Sequence, residues 1–205
     1  VNLHGNNEHS PLPNPQFANQ ARFLVESGAD AVIVHHAHRI SGVEIHRDRP
    51  ILYGLGNFQF CTPALNAHWH QGVMAILGIK RQGGTLSVTH ELHPVLVDPE
   101  SYSTEQADPE MAKHLENDIA ALSQIIASPA SLQAHFEAFV QESQTMYQEF
   151  LNPFASKGRI GRLVGRVFVK RMFLRRRRHA MLLNALRCDA HREALTRDLT
   201  RRLEE

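Results

Sequence analysis

The sequence predicts an α/β domain over residues 1–98, followed by a helical region over residues 109–205. Three observations carry this. Short apolar runs alternate with one helical repeat in the first part. Leu115, Ile119, Leu122 and Ile126 then form an amphipathic stripe at helical spacing. Between them, residues 99–108 (PESYSTEQAD) are polar and read as a linker. A chain of 205 residues can bury a core, and its 42% hydrophobic fraction suits a globular protein.

The elements follow in order. Val1–Leu3 is strand-like, and His4–Pro15 is a loop rich in Asn, Pro and Gly. Asn14 before Pro15 is a helix start, a capping side chain followed by proline at the first helical position. Phe17, Ala21, Leu24 and Val25 repeat at helical spacing, and Gly28 ends that helix. Ala31–Val34 is a continuous apolar run, as in a strand buried on both faces. Val43–Ile45 and Ile51–Tyr53 flank a tight connection at His46–Pro50. Gly72–Ile79 and Thr85–Thr89 flank a second at Arg81–Gly84, and Leu92–Val97 reads as one more strand. Helices are expected from Pro109 and again after Pro129.

The chain opens at Val1 in a strand-like run, which reads as a cut inside a larger domain. Any targeting or anchoring segment would belong to the part before it. No apolar run is long enough to span a bilayer. Cys61 and Cys188 form no CxxC pair, so neither a disulfide framework nor a thiolate zinc ribbon is expected. The net charge of +1 gives no global field toward nucleic acid.

Histidine is the compositional outlier: ten of the fourteen fall in the first 93 residues. His36 and His38 follow the buried strand directly, at the carboxyl end where α/β sheets place ligands. Neutral imidazole is a common ligand of divalent transition metals, because its lone pair carries no charge to desolvate. An HxH pair alone equally suits a solvated loop. His4–His9 (HGNNEH) follows another short strand, whose end converges with the first, so His4 and Glu8 can reach the same pocket. An Asn/Gly turn with a solvent-facing Glu has the same sequence. Gly54–Phe58 (GLGNF) permits a sharp backbone path, with Asn57 facing either loop or ligand.

Together these segments resemble the CapA-type capsule biosynthesis family. HGNNEHS at 4–10 is similar to the family's H-W-G-x-E-Y segment. AVIVHHAHRISG at 31–42 resembles a strand followed by G-H-H-P-H-V-L-Q-G. PILYGLGNFQF at 50–60 resembles P-I-x-Y-S-L-G-N-F-x-F. The resemblance covers roughly residues 1–98 and weakens after Phe60. It implies the carboxyl-terminal half of a metallophosphoesterase-like αββα sandwich. It also implies His4, His36 and His38 as metal ligands, Glu8 and His35 as proton-handling catalytic residues, and Asn57 as a substrate contact. The implied cofactor is divalent Mn, Fe or Zn, with two ions in the complete domain. The implied chemistry is activation of a water, or polarisation of a phosphoryl or acyl oxygen, in poly-gamma-glutamate (surface polymer) synthesis. The sequence departs from the pattern at Gly5, Asn6, His9, Val34, Ala37 and Ser41. The family's early G-D and N-N-H-type motifs, which bring carboxylate and amide ligands, do not occur in this chain. Only half a site is therefore expected.

Residues 151–187 contain eleven Lys or Arg and no acidic residue. Over 159–187 the basic residues alternate with apolar ones, as in a helix lying on an anionic membrane surface. Each such charge near the surface adds about 1 kcal/mol. An anionic polymer would be held equally well, and a helix solvating its charged face has the same pattern. No nucleic-acid-binding motif accompanies the charge. The expected partners are an anionic polymer or phosphorylated substrate, and other capsule-synthesis proteins, at the membrane or cell envelope. Two non-catalytic classes stay open beside the hydrolase: a polymer-binding assembly protein and a membrane-surface module.

Overall fold

The computed structural model describes residues 1–60, 66–151, 180, 184 and 187–204. It divides into two compact units, Val1–Phe136 and Glu137–Glu205.

The first unit holds two sheets. The first sheet has the order β1-β2-β4-β3, from β1 (Asn2–His4), β2 (Val32–His35), β3 (Val43–His46) and β4 (Arg49–Leu52). β1 and β4 both run parallel to β2, so β1 and β2 end side by side, with His4 opposite His35. β3 and β4 form a hairpin whose turn residues Arg47 and Asp48 both have positive φ. This is the turn hand that matches strand twist, here without glycine. The second sheet is β5-β6-β7, from β5 (Gln71–Gln82), β6 (Thr85–Val97) and β7 (Thr104–Gln106). Gly83 and Gly84 supply the two positive φ angles of its hairpin.

The helix α1 (Pro15–Glu26) begins as expected: the Asn14 side chain accepts from the Phe17 N–H at 2.8 Å. It ends in a Schellman turn, where Gly28 N donates to Val25 O and Ala29 N to Leu24 O. α2 (Pro109–Ala127) is capped by Asp108, which accepts from the N–H groups of Glu110 and Met111. α3 is Pro129–Leu151. Phe17, Ala21 and Val25 of α1 pack with Val32, Val34 and Ile51 of the first sheet, joined by Ile126 and Leu132. A second cluster joins Leu115 and Ile119 of α2 to Ile40 and Val73. Removing this apolar surface from water is the main driving term for the unit.

Two expectations change. Leu92–Val97 is no separate strand; it continues Thr85–Thr89 as one β6, because the ladder with β5 runs unbroken from Gln71↔Leu96 to Gln82↔Thr85. Residues 99–108 are not bare linker: Thr104–Gln106 pairs with Val95–Val97, and the compact unit runs on to Phe136. The α/β class holds for the first unit, followed by helices. The four-layer sandwich rests on the resemblance alone.

In the second unit, α4 (Asp189–Glu204) buries Ala194 and Leu195. Its buried Asp198 accepts from Arg201 at 3.1 Å and Arg202 at 2.9 Å. Arg197 pairs with Glu137 at 2.6 Å. Most of 159–187, the expected membrane-surface or polymer-binding segment, lies outside the described residues, as does Cys61. Among the described residues no helix is long and apolar enough to cross a membrane.

Candidate metal centre

The site lies at the carboxyl ends of β1 and β2 and is built on two loops that lock together. In the first, Asn6 and Asn7 are buried and act as internal scaffolding. Asn6 Oδ1 accepts from Asn14 N at 3.0 Å, and its Nδ2 donates to Leu12 O. Asn7 Oδ1 accepts from Asn14 Nδ2 at 3.2 Å, so the helix cap and the loop share one network. The second loop, 36–42, is tied to the first by His9 N donating to Ala37 O and Ser41 Oγ donating to Pro11 O. Such satisfied buried amides fix the loops without a hydrophobic core of their own.

That scaffold holds unusual backbone. Asn6, His9, His36 and His38 all have positive φ, at 86°, 64°, 110° and 55°. Each position is costly for a residue with a Cβ, and four in two adjoining loops mark a place where geometry outweighs local preference.

The strain delivers the side chains. His36 Nδ1 stands 3.1 Å from His4 Nε2, one nitrogen donating and the other accepting. His36 Nε2 is 4.0 Å from Glu8 Oε1. His38 Nδ1 meets Asn57 Oδ1 at 2.8 Å, while Asn57 Nδ2 donates to Trp69 O. With the amide so oriented, His38 donates from Nδ1 and keeps its lone pair on Nε2. The His38 ring clusters with Trp69 and Phe60, with centroids 4.7 and 4.9 Å away, and those two rings are themselves 5.7 Å apart. Trp69 also touches His9 at 5.2 Å. Partial burial, then the nearby His4, hold the His35 pKa below the usual imidazole value, so the neutral form is favoured.

Residues 1–62 match the family described as bacterial capsule synthesis protein PGA_cap. The chain is 35% identical over 60 residues to the capsule biosynthesis protein CapA of Bacillus anthracis, covering 29% of this chain and 15% of that protein. It is 35% identical over 60 residues to the PGA biosynthesis protein CapA of Bacillus subtilis strain 168, covering 29% and 16%. Residues 1–62 are thus similar to the CapA-type capsule biosynthesis family. A 38-residue stretch is also 55% identical to the uncharacterised protein y4sH of Sinorhizobium fredii, covering 18% of this chain and 8% of that one. The chain spans between 8% and 16% of the length of these relatives.

The matching segment ends close to the last site loop. Of the expected ligands, it brings His4 and His36 together and leaves His38 on Asn57. Two imidazole nitrogens on one tetrahedral ion stand about 3.3 Å apart. The 3.1 Å between His4 and His36 is the length of the hydrogen bond they share, and once that proton is lost both lone pairs would stand at nearly the spacing of two ligands of a single ion. Among the described residues no three His, Cys, Asp or Glu side chains are grouped to hold one. Glu8 flanks the pair, and His35 stands opposite His4 in the strand register. Asn57, expected to touch substrate, is buried with its amide oxygen facing His38 and its amide nitrogen facing Trp69. Sequence reasoning missed Trp69 and Phe60. The chain has a single tryptophan, and its place between His68 and His70 was the available signal.

Proposed function

We propose that the chain is part of a capsule-biosynthesis protein of the cell envelope. In this reading its histidine loops form half of a divalent-metal centre acting on a phosphorylated substrate or an anionic polymer such as poly-gamma-glutamate. The observation that carries this is the His4–His36 nitrogen pair, 3.1 Å apart at the ends of parallel strands. His4 and His36 would hold Mn, Fe or Zn, with His38 presenting Nε2 because Asn57 occupies its other nitrogen. A bound ion would supply Lewis acidity toward a phosphoryl or acyl oxygen. Glu8, beside His36, and His35, biased toward its neutral form, would take or return a proton. The remaining ligands would come from elsewhere in the complete protein, as the missing G-D and N-N-H-type motifs imply.

The test is elemental analysis of this chain beside a version extended at its N-terminus to the length of its relatives. Near-stoichiometric metal is expected in the extended protein and is lost on replacing His36 and His38 together by Ala. Unchanged metal content in that double variant would sink the assignment.

One observation favours a second reading, a polymer-binding protein without turnover. His38, Trp69 and Phe60 form one cluster of three rings, as in an aromatic contact surface. An extended protein that binds poly-gamma-glutamate, yet turns over no phosphoester with any divalent metal, would decide for it.

A further inference from the structure

Arg39 follows His38 and takes no part in the histidine site. Its side chain is half-buried, and among the described residues its guanidinium makes no hydrogen bond, with the charge of Asp118 acting on it. A guanidinium carries five N–H donors and stays charged, so withdrawing it from water without acceptors is costly. Arg39 lines a cavity of about 220 Å³ between loop 36–42 and α2. Ile40, Leu115, Leu122 and Ile125 give that cavity an apolar wall. Asp118 also lines it, its carboxylate 3.6 Å from His114.

We propose that this cavity binds a small monocarboxylate, with Arg39 gripping the carboxylate and the α2 wall taking the aliphatic body. The planar fork of arginine matches a carboxylate through two parallel hydrogen bonds. Asp118 already offsets part of the Arg39 charge, and the positive charge that is left suits a monoanion better than a dianionic phosphate. The aliphatic wall offers a phosphate no donors for its remaining oxygens, and besides Arg39 and Asp118 the polar side chains lining the cavity are His68 and Gln71. The volume is below the roughly 300–1,000 Å³ of sites for drug-sized ligands, so an acid of about five carbons is the right scale. The proposal goes beyond the metal reading and stands without it, because no expected ligand histidine lines the cavity.

The test is titration of pentanoate into the whole chain, dialysed free of metal, followed by ligand-observed NMR. Pentanamide serves as the neutral isostere and inorganic phosphate as the competing anion. Saturable pentanoate binding is expected. It should weaken about tenfold or more in Arg39→Gln, which loses the charge-assisted pair. It should also disappear in Ala121→Phe, which fills the cavity from an exposed helix position and leaves Arg39 in place. If Arg39→Gln does not fold, Ala121→Phe alone decides. Absence of saturable binding, equal affinity for pentanamide, displacement by lower concentrations of phosphate, or unchanged binding in Ala121→Phe would each overturn the proposal.

Discussion

Tyr53 is fully buried just after β4, yet its hydroxyl donates to Glu44 Oε2 at 2.7 Å. Glu44 in turn accepts from Arg22 Nε at 2.9 and 3.1 Å, and Arg22 reaches Ile126 O at 3.3 Å. Three distant parts of the chain therefore meet on one carboxylate. Tyr53→Phe leaves that carboxylate one donor short and should cost about 1.5–3 kcal/mol in urea unfolding. Burial first, then the charge of Glu44 and the hydrogen bond to it, raise the Tyr53 pKa well above its ordinary value. The sign follows. Below about pH 10 both states keep the phenolic proton; above it only the unfolded chain releases one, so stability falls as pH rises. Wild-type stability should drop between pH 10 and 11 by about 1 kcal/mol more than that of Tyr53→Phe. Parallel alkaline curves for the two proteins would show that Tyr53 carries none of this slope. None of this triad was legible beforehand: Arg22, Glu44 and Tyr53 each look ordinary, and only the fold brings them together.

At the scale of elements, the site loop 54–57 is pinned to the start of β5. Asn57 N donates to Gln71 O at 3.1 Å, and Gly56 bridges Gly72. A Cβ on Gly72 would lie 1.9 Å from Asn57 O, so the backbones touch where only glycine fits. Gly72→Ala must push Asn57 away and with it the oxygen that orients His38. It should destabilise the unit by about 1–3 kcal/mol and shift the His38 ring nitrogen resonances. Overlapping His38 signals in the two proteins would mean that β5 does not position this histidine. Such coupling explains which elements the sequence revealed. The Asn14–Pro15 cap, the Ala31–Val34 strand and the α2 stripe are encoded within a few residues, and each formed where expected. The merging of Leu92–Val97 into β6 and the pairing of Thr104–Gln106 depend on partners far along the chain. Local periodicity holds no record of those partners. The same holds for the positive φ of His36 and His38, which the interlocked loops impose against the preference of histidine.

For the first unit as a whole, the decisive feature is that β1 is an edge of its sheet. Ile33 N donates to Val1 O, and Gly5 N donates to His35 O. In a parallel ladder the residues facing a neighbour alternate, so Val1 and Gly5 turn toward β2 while Asn2 and His4 turn their backbone groups outward. Among the described residues nothing pairs with that outer side. An open edge with free N–H and C=O groups is a template for another strand. The metal reading needs further ligands to arrive near His4, and a strand added on this edge would end beside it. In this chain alone the same edge should pair with another copy. Sedimentation should therefore show concentration-dependent association. Asn2→Pro should suppress it, because it removes an outward N–H at the first residue of β1, where proline is tolerated. The β1–β2 ladder should survive, since the Asn2 N–H takes no part in it, and hydrogen exchange at Ile33 and Gly5 would report that. Association unchanged in Asn2→Pro, with that ladder intact, would place the contact elsewhere and remove the edge as the point where the rest of the site attaches.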